Sequence, residues 1–283
     1  MTISKSIRLI LISLTTSVFL LASGCGGGGG GSGDGDDGFP TPTLPADAAK
    51  LDAANANNIA AAAVDFVDIL DEVAELKSEE SPSLPQVARL VTDRIMRKRR
   101  ISPAVAARIE DISADLCNPG DPNTAIAEFD ESGNSESGSV TFTGCNLDGS
   151  GIVINGSFSY VANWNDTTLD YSFHVGGRLT LAVSGESITI VMNLLESGNE
   201  GTGAFSSNVS FSLSGIPGGG FMVTTKQSWV GNVLTGITGG QLIVHGGDNT
   251  RLRITVTGID MADVDLDNGS GTFVFHSTID FSS

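Results

Sequence analysis

Leu169-Asp170-Tyr171-Ser172-Phe173-His174-Val175 alternates apolar and polar side chains. Neighbouring side chains of a strand point to opposite faces, so this run reads as a half-buried β-strand. Leu169, Tyr171, Phe173 and Val175 form its inner face; Asp170, Ser172 and His174 form its outer face. The same period of two continues through Leu179, Leu181 and Val183, then Ile188, Ile190 and Met192. It returns at Val209-Phe211-Leu213, Leu252-Ile254-Val256 and Phe273-Phe275. Ser184-Gly185, Ser197-Gly198, Pro217-Gly218, Gly246-Gly247 and Asn268-Gly269 punctuate these runs as turns, which predicts about ten to twelve strands. Connections this short favour antiparallel neighbours, because a parallel crossover needs about a dozen residues or more. One wet face per strand fits a β-sandwich, a curled sheet or a barrel filled by side chains.

Upstream of residue 124 the period is helical. Ile59, Ala62, Ala63, Phe66, Leu70 and Val73 recur at spacings of three and four, which predicts a helix over 46–77. Ser81-Pro82-Ser83-Leu84-Pro85 breaks it, and Ser83 with Gln86 forms a capping box for a second helix carrying Leu84, Val87, Val91 and Ile95. Ser102-Pro103 opens a third with Val105, Ile109, Ile112 and Leu116, which Asn118-Pro119-Gly120 ends. Gly176-Gly177-Arg178-Leu179 and Gly239-Gly240-Gln241-Leu242 make a faint repeat, with Trp164 and Trp229 upstream of the two copies. A duplicated hairpin unit and a coincidence of glycine-rich turns both account for it.

The chain has 33 acidic and 15 basic residues and a net charge of −18. Such a polyanion does not seek nucleic acid. Near the N-terminus, Lys5 and Arg8 precede the uncharged run Ile10–Leu21, which ends in Ala22-Ser23-Gly24-Cys25. A short basic region, a brief apolar core and small residues make an export signal, too short to span a bilayer. Residues 26–45, rich in Gly, Asp and Pro, read as a tether. Gly33-Asp34-Gly35-Asp36-Asp37-Gly38 matches a dinucleotide fingerprint in form, but no strand precedes it and its carboxylates repel phosphate. Of three cysteines, Cys117 and Cys145 remain as an even pair in an oxidising compartment, and they read as a disulfide.

Ala22-Ser23-Gly24-Cys25 resembles the lipobox of bacterial lipoproteins. That resemblance implies that residues 1–24 are removed and that Cys25 becomes the first residue, carrying diacylglycerol and a fatty acyl chain. No other cofactor is implied. Gly26, rather than Asp, follows the cysteine, and by the family's sorting rule this points to the outer membrane rather than the inner one. The whole chain resembles β-rich proteobacterial envelope lipoproteins, which have a tether, a helical segment and a β domain with a cysteine pair.

The chemistry-bearing residues are sparse. His174, His245 and His276 stand on separate predicted strands and read as solvent-facing, with convergence on a metal as the sharper alternative. Asp263-Val264-Asp265-Leu266-Asp267-Asn268-Gly269 starts like a calcium loop, but Asn268 and Val274 occupy the positions where such a loop wants Gly and Glu. No G-x-S-x-G, H-E-x-x-H or P-loop is present, so no catalytic or metal residue is nominated. Arg94, Arg97, Lys98, Arg99 and Arg100 form a basic cluster. It reads either as a solvated face paired with the acidic helix and sheet, or as a contact for anionic headgroups or an acidic partner.

The fold expected is α+β and mainly β. Residues 46–116 form a helical segment and residues 117–283 a large antiparallel sheet, closed or nearly closed, with Phe66, Leu70, Val91 and Ile95 packed on it. The function expected is non-enzymatic: an outer-membrane-anchored binding, assembly or surface-interaction module with an envelope protein as partner. The alternative is a periplasmic carrier or chaperone for a hydrophobic, acyl-bearing ligand.

Overall fold

The computed structural model describes residues 39–71, 108–111, 117, 124–146, 152–183, 186–216, 218–232, 235–259 and 261–280. One helix, α1 (Ala56–Asp71), precedes twelve strands: β1 (Arg108–Asp111), β2 (Thr124–Ser132), β3 (Ser135–Asn146), β4 (Ile152–Trp164), β5 (Asp170–Val183), β6 (Glu186–Asn199), β7 (Ala204–Ser214), β8 (Phe221–Asn232), β9 (Gly236–His245), β10 (Arg251–Gly258), β11 (Met261–Asp267) and β12 (Val274–Asp280). They form a single antiparallel meander in which every strand pairs with its sequence neighbours. β1 is a four-residue edge; the other eleven strands run seven to fourteen residues.

The sheet is open, which corrects the expectation of a closed, curled or sandwiched one. Closure requires the first and last strands to pair, and the sheet order runs from β1 at one edge to β12 at the other. A four-residue β1 offers too little ladder for that. The helical expectation over 46–116 is also revised. Residues 108–111 pair with β2 over Asp111↔Ile126 to Arg108↔Phe129, so the stripe through Ile109 is not helical there. Ile is at home in either period, and the ladder decides. The second predicted helix, with Val91 and Ile95, lies outside the described residues, as do the side chains of Phe66 and Leu70.

Register places Tyr160, Val175, Leu179, Met192, Phe211, Val223, Leu242, Leu252 and Val264 on one face, and all are buried. This apolar face carries the core from β2 to β11. α1 lies against β10–β12. Ala56, Ala60, Ala63 and Val64 are its buried stripe, and their small side chains let the helix axis approach the sheet closely. The helix starts ten residues later than its pattern suggests. Asp52 Oδ1 accepts from the Ala54 and Asn55 amides, and Asn55 Oδ1 accepts from the Asp52 amide, a reciprocal cap.

Residues 39–51 are not a free tether but a strap: Phe39 packs on β5, and residues 47–51 bind the ends of β7–β10. Phe39 is buried, its ring 3.8 Å from that of His174. Asp47 Oδ2 accepts from the Gly215 amide, Ala49 donates to the Gly220 carbonyl, and Gly247 donates to the Ala49 carbonyl. The strap thus ties the β7–β8 and β9–β10 turns together. Asp248 and Asn249, both at positive φ, are the central residues of the Gly247–Thr250 turn between β9 and β10, where Asp and Asn tolerate the left-handed region. Leu169 also has positive φ and is exposed, so it belongs to the turn before β5 rather than to the strand. Gly176-Gly177 and Gly239-Gly240 sit inside β5 and β9, each next to the strand bearing Trp164 or Trp229, so the repeat is one of strands rather than turns. Cys117 and Cys145 form a buried disulfide with Cα atoms 5.1 Å apart, joining the segment after β1 to β3.

Candidate functional site

The apolar face ends in a mixed row at the end of the strands away from the β7–β8 and β9–β10 turns. Glu136 pairs with Ala162, Ala162 with Phe173, Phe173 with Glu196, Glu196 with Ser207 and Ser207 with Trp229. The row therefore crosses β3 to β8, with Glu136, Glu196 and Ser207 set among Ala162, Phe173 and Trp229.

Each of the two inner glutamates belongs to the same three-residue device. The Tyr160 hydroxyl donates to Glu136 Oε1 at 2.6 Å, and the Tyr171 hydroxyl donates to Glu196 Oε1 at 2.9 Å. Both rings lie across a glycine of the neighbouring strand. A Cβ at Gly138 would stand 2.8 Å from the Tyr160 hydroxyl, and one at Gly198 would stand 2.7 Å from that of Tyr171. Only glycine leaves room for the ring at that spot, and the glutamate two residues earlier then meets the hydroxyl. Glu136-Ser137-Gly138 and Glu196-Ser197-Gly198 are the sequence trace of this device. The chain has two Tyr and two Trp, and all four lie at this end: Trp164 pairs with Tyr171, and Trp229 with Ser207.

Glu136 is buried and Glu196 partly exposed. The row thus holds two carboxyl groups among aromatic side chains, each fixed by a tyrosine hydroxyl. The two glutamates stand three strand spacings apart, about 14 Å between backbones.

The other candidate residues are distributed differently. The three histidines stand on β5, β9 and β12, and His174 and His245 are four strands apart, about 19 Å. His174 Nε2 pairs with Asn193 Oδ1 at 2.8 Å and His245 Nε2 with Thr224 Oγ1 at 3.0 Å. The strands do not gather them. Burial, with the Arg251 charge adding to it, holds the His245 imidazole below its ordinary range. The Asp263–Asp267 run is strand β11. Asp267 accepts from Arg251 at 2.6 Å, Asp265 from Arg253 at 2.8 Å and Asp263 from Thr278 at 2.7 Å. Both guanidiniums stack over Phe273, at 5.0 and 4.7 Å from the ring centroid. The Arg251 hydrogen bond, with the Gly271 and Gly269 amides against an opposing burial effect, holds the Asp267 carboxyl below the usual carboxylate range.

Cys25, Arg94, Arg97, Lys98, Arg99 and Arg100 lie outside the described residues. The Tyr–Gly–Glu devices were missed in the sequence; the Glu-Ser-Gly triplet alone does not mark them, since it also occurs at Glu131-Ser132-Gly133, where Gly133 is a turn residue. Comparison with protein families, curated proteins and solved structures finds no match to this chain.

Proposed function

We propose that this is a lipid-anchored envelope protein, acylated at Cys25, whose open sheet works as a non-enzymatic binding or assembly module at the outer membrane. One observation carries the reading. Of three cysteines, two form a buried disulfide, which suits an oxidising compartment, and the third closes the export signal. The strap adds to it. Thirteen residues separate Cys25 from the buried Phe39. Thirteen residues reach at most about 45 Å, so a lipid on Cys25 would keep the sheet near the bilayer. Metabolic labelling with a fatty acid analogue tests the anchor. Label on the wild type and none on Cys25→Ser, with the variant released from the membrane fraction, is the expected result. Equal membrane association of the two would overturn it.

A second reading is a carrier for an acyl-bearing ligand, favoured by the continuous apolar face from β2 to β11. Native mass spectrometry of Cys25→Ser protein from the periplasm tests it. A lipid mass lost on organic extraction supports the carrier; the bare polypeptide mass supports the module.

A further inference from the structure

The two faces of the sheet differ in where they place carboxylates. Strands β3–β9 contain Glu136, Asp170, Glu186 and Glu196 and no other carboxylate, in a chain with 33 acidic residues. Glu136 and Glu196 belong to the apolar face. Asp170 and Glu186 are the first residues of β5 and β6. Between the strand ends, the polar face of these seven strands therefore carries no carboxylate over a width of about 29 Å. Its register rows read like Ser139–Ser159–Gly176–Asn193–Ser210–Thr224. Ser159, Arg178, Leu195 and Asn208 of this face are exposed. Acidic residues resume on either side, with Glu128 and Asp130 on β2 and Asp263, Asp265 and Asp267 on β11.

The chain that leads to Cys25 departs from this same face. Phe39 lies over Gly176, where a Cβ would stand 3.0 Å from its ring, and beside His174. Those two residues alternate with the buried Val175, which puts Phe39 on the polar side of β5. From there the strap rounds the strand ends, where Asp47 and Ala49 bind Gly215 and Gly220. It reaches the apolar face at Leu51 and α1. β5 is the third of the seven strands, so the link to Cys25 starts well inside the carboxylate-free field.

We infer that the polar face of β3–β9 is the surface this protein lays against the anionic phospholipid headgroups of the leaflet holding its anchor. The apolar face and α1 then point away from the bilayer. The inference rests on the proposed acylation at Cys25 and adds an orientation to it. Charge selects the face. A bilayer with anionic headgroups repels carboxylates within about a Debye length, about 8 Å at physiological salt. A chain of net charge −18 approaches such a surface closely through a face free of them. Serine and threonine hydroxyls and asparagine amides there can donate to phosphate oxygens, and Arg178 adds a charge-assisted donor. Turning the sheet over would instead bring up α1, whose sequence includes Asp65, Asp68 and Asp71.

The test uses the acylated protein, its disulfide intact, in phosphatidylethanolamine–phosphatidylglycerol vesicles that carry a quencher on the lipid headgroup. A single fluorophore is attached through Asn208→Cys on the polar face or Asn58→Cys on α1, each with unchanged circular dichroism. Quenching at position 208 should exceed that at position 58 at least threefold. Equal quenching or the reverse order, in protein that floats with the vesicles, would overturn the orientation and leave the anchor standing. Protein that does not float would overturn the anchor and the orientation with it. Adding Ser159→Glu/Leu195→Glu should lower quenching at position 208 at least twofold in these vesicles and leave it unchanged in phosphatidylcholine ones. No change in either would also sink the inference. So would shielding of position 208 that grows with protein density without headgroup quenching, since that assigns the face to a second copy of the chain.

Discussion

The β10–β12 side and the β3–β6 side of the sheet hold their carboxylates in different ways. Asp265 and Asp267 each face an arginine on β10, and one phenylalanine ring lies under both guanidiniums. That cluster is neutral within itself and sits on the polar face. Glu136 and Glu196 sit on the apolar face and each accepts a tyrosine hydroxyl. The difference teaches that the two faces hold their acidic residues by different chemistry: guanidinium groups of a neighbouring strand on the polar face, phenol hydroxyls lying across a glycine on the apolar face.

The comparison can be broken by experiment, the largest effect first. The β3–β6 side depends on the Cys117–Cys145 bond to keep the short β1 edge in place. Reduction, or Cys117→Ser/Cys145→Ser, should cost about 3–4 kcal/mol by the loop-entropy argument. A urea midpoint that does not move would show that the edge holds without it. Next, Tyr160→Phe removes a hydrogen bond to a buried carboxylate and should cost about 1.5–3 kcal/mol. Tyr171→Phe should cost less, because Tyr171 and Glu196 are only partly buried. Equal costs would mean that burial does not set the value of the device.

On the other side, Asp267 is the residue to titrate. Its folded pKa is depressed, so its contribution to stability is present above the unfolded value near about 3.9 and is lost as pH falls through the lower folded value. Thermal melts of Asp267→Asn should therefore show a smaller loss between neutral and strongly acidic pH than the wild type. The smallest effect is expected at His245. Its folded pKa is also depressed, so the unfolded chain takes up the proton first, and stability should decline as pH falls below about 6.5. His245→Gln should flatten that part of the profile while leaving the acid limb governed by Asp267 intact.

The sequence was legible where one residue's neighbours decide its state. Tyr171, Phe173 and Val175 alternate because a pleat alternates, so strands and their inner faces could be read directly. Cys117 and Cys145 could be paired by arithmetic, since Cys25 was assigned elsewhere. The Glu-Ser-Gly triplets were visible, but their meaning was not, because each tyrosine lies on a strand 22 to 27 residues away in the chain. Ala46–Leu51 carries helical propensity and still forms a strap, since its backbone groups find partners in turns some 170 to 200 residues later. Ile109 fits a helical stripe and a ladder equally well, and β2 settles the choice.

The amino-acid order by itself determined the strand period, the inner faces of β5, β6, β7 and β10, the cysteine pair and the acidic character of the chain, because these follow from spacing and composition; the Phe273-Phe275 run was misread, since Phe275 is exposed and Phe273 lies before β12 under the Arg251 and Arg253 guanidiniums. Only the tertiary structure decided that the sheet stays open, that residues 39–51 bind its turns, and that two glutamates and four large aromatics share one end of one face. Those facts depend on register and on backbone pairing between distant segments. Both are set by the summed free energy of contacts that no local window of sequence contains.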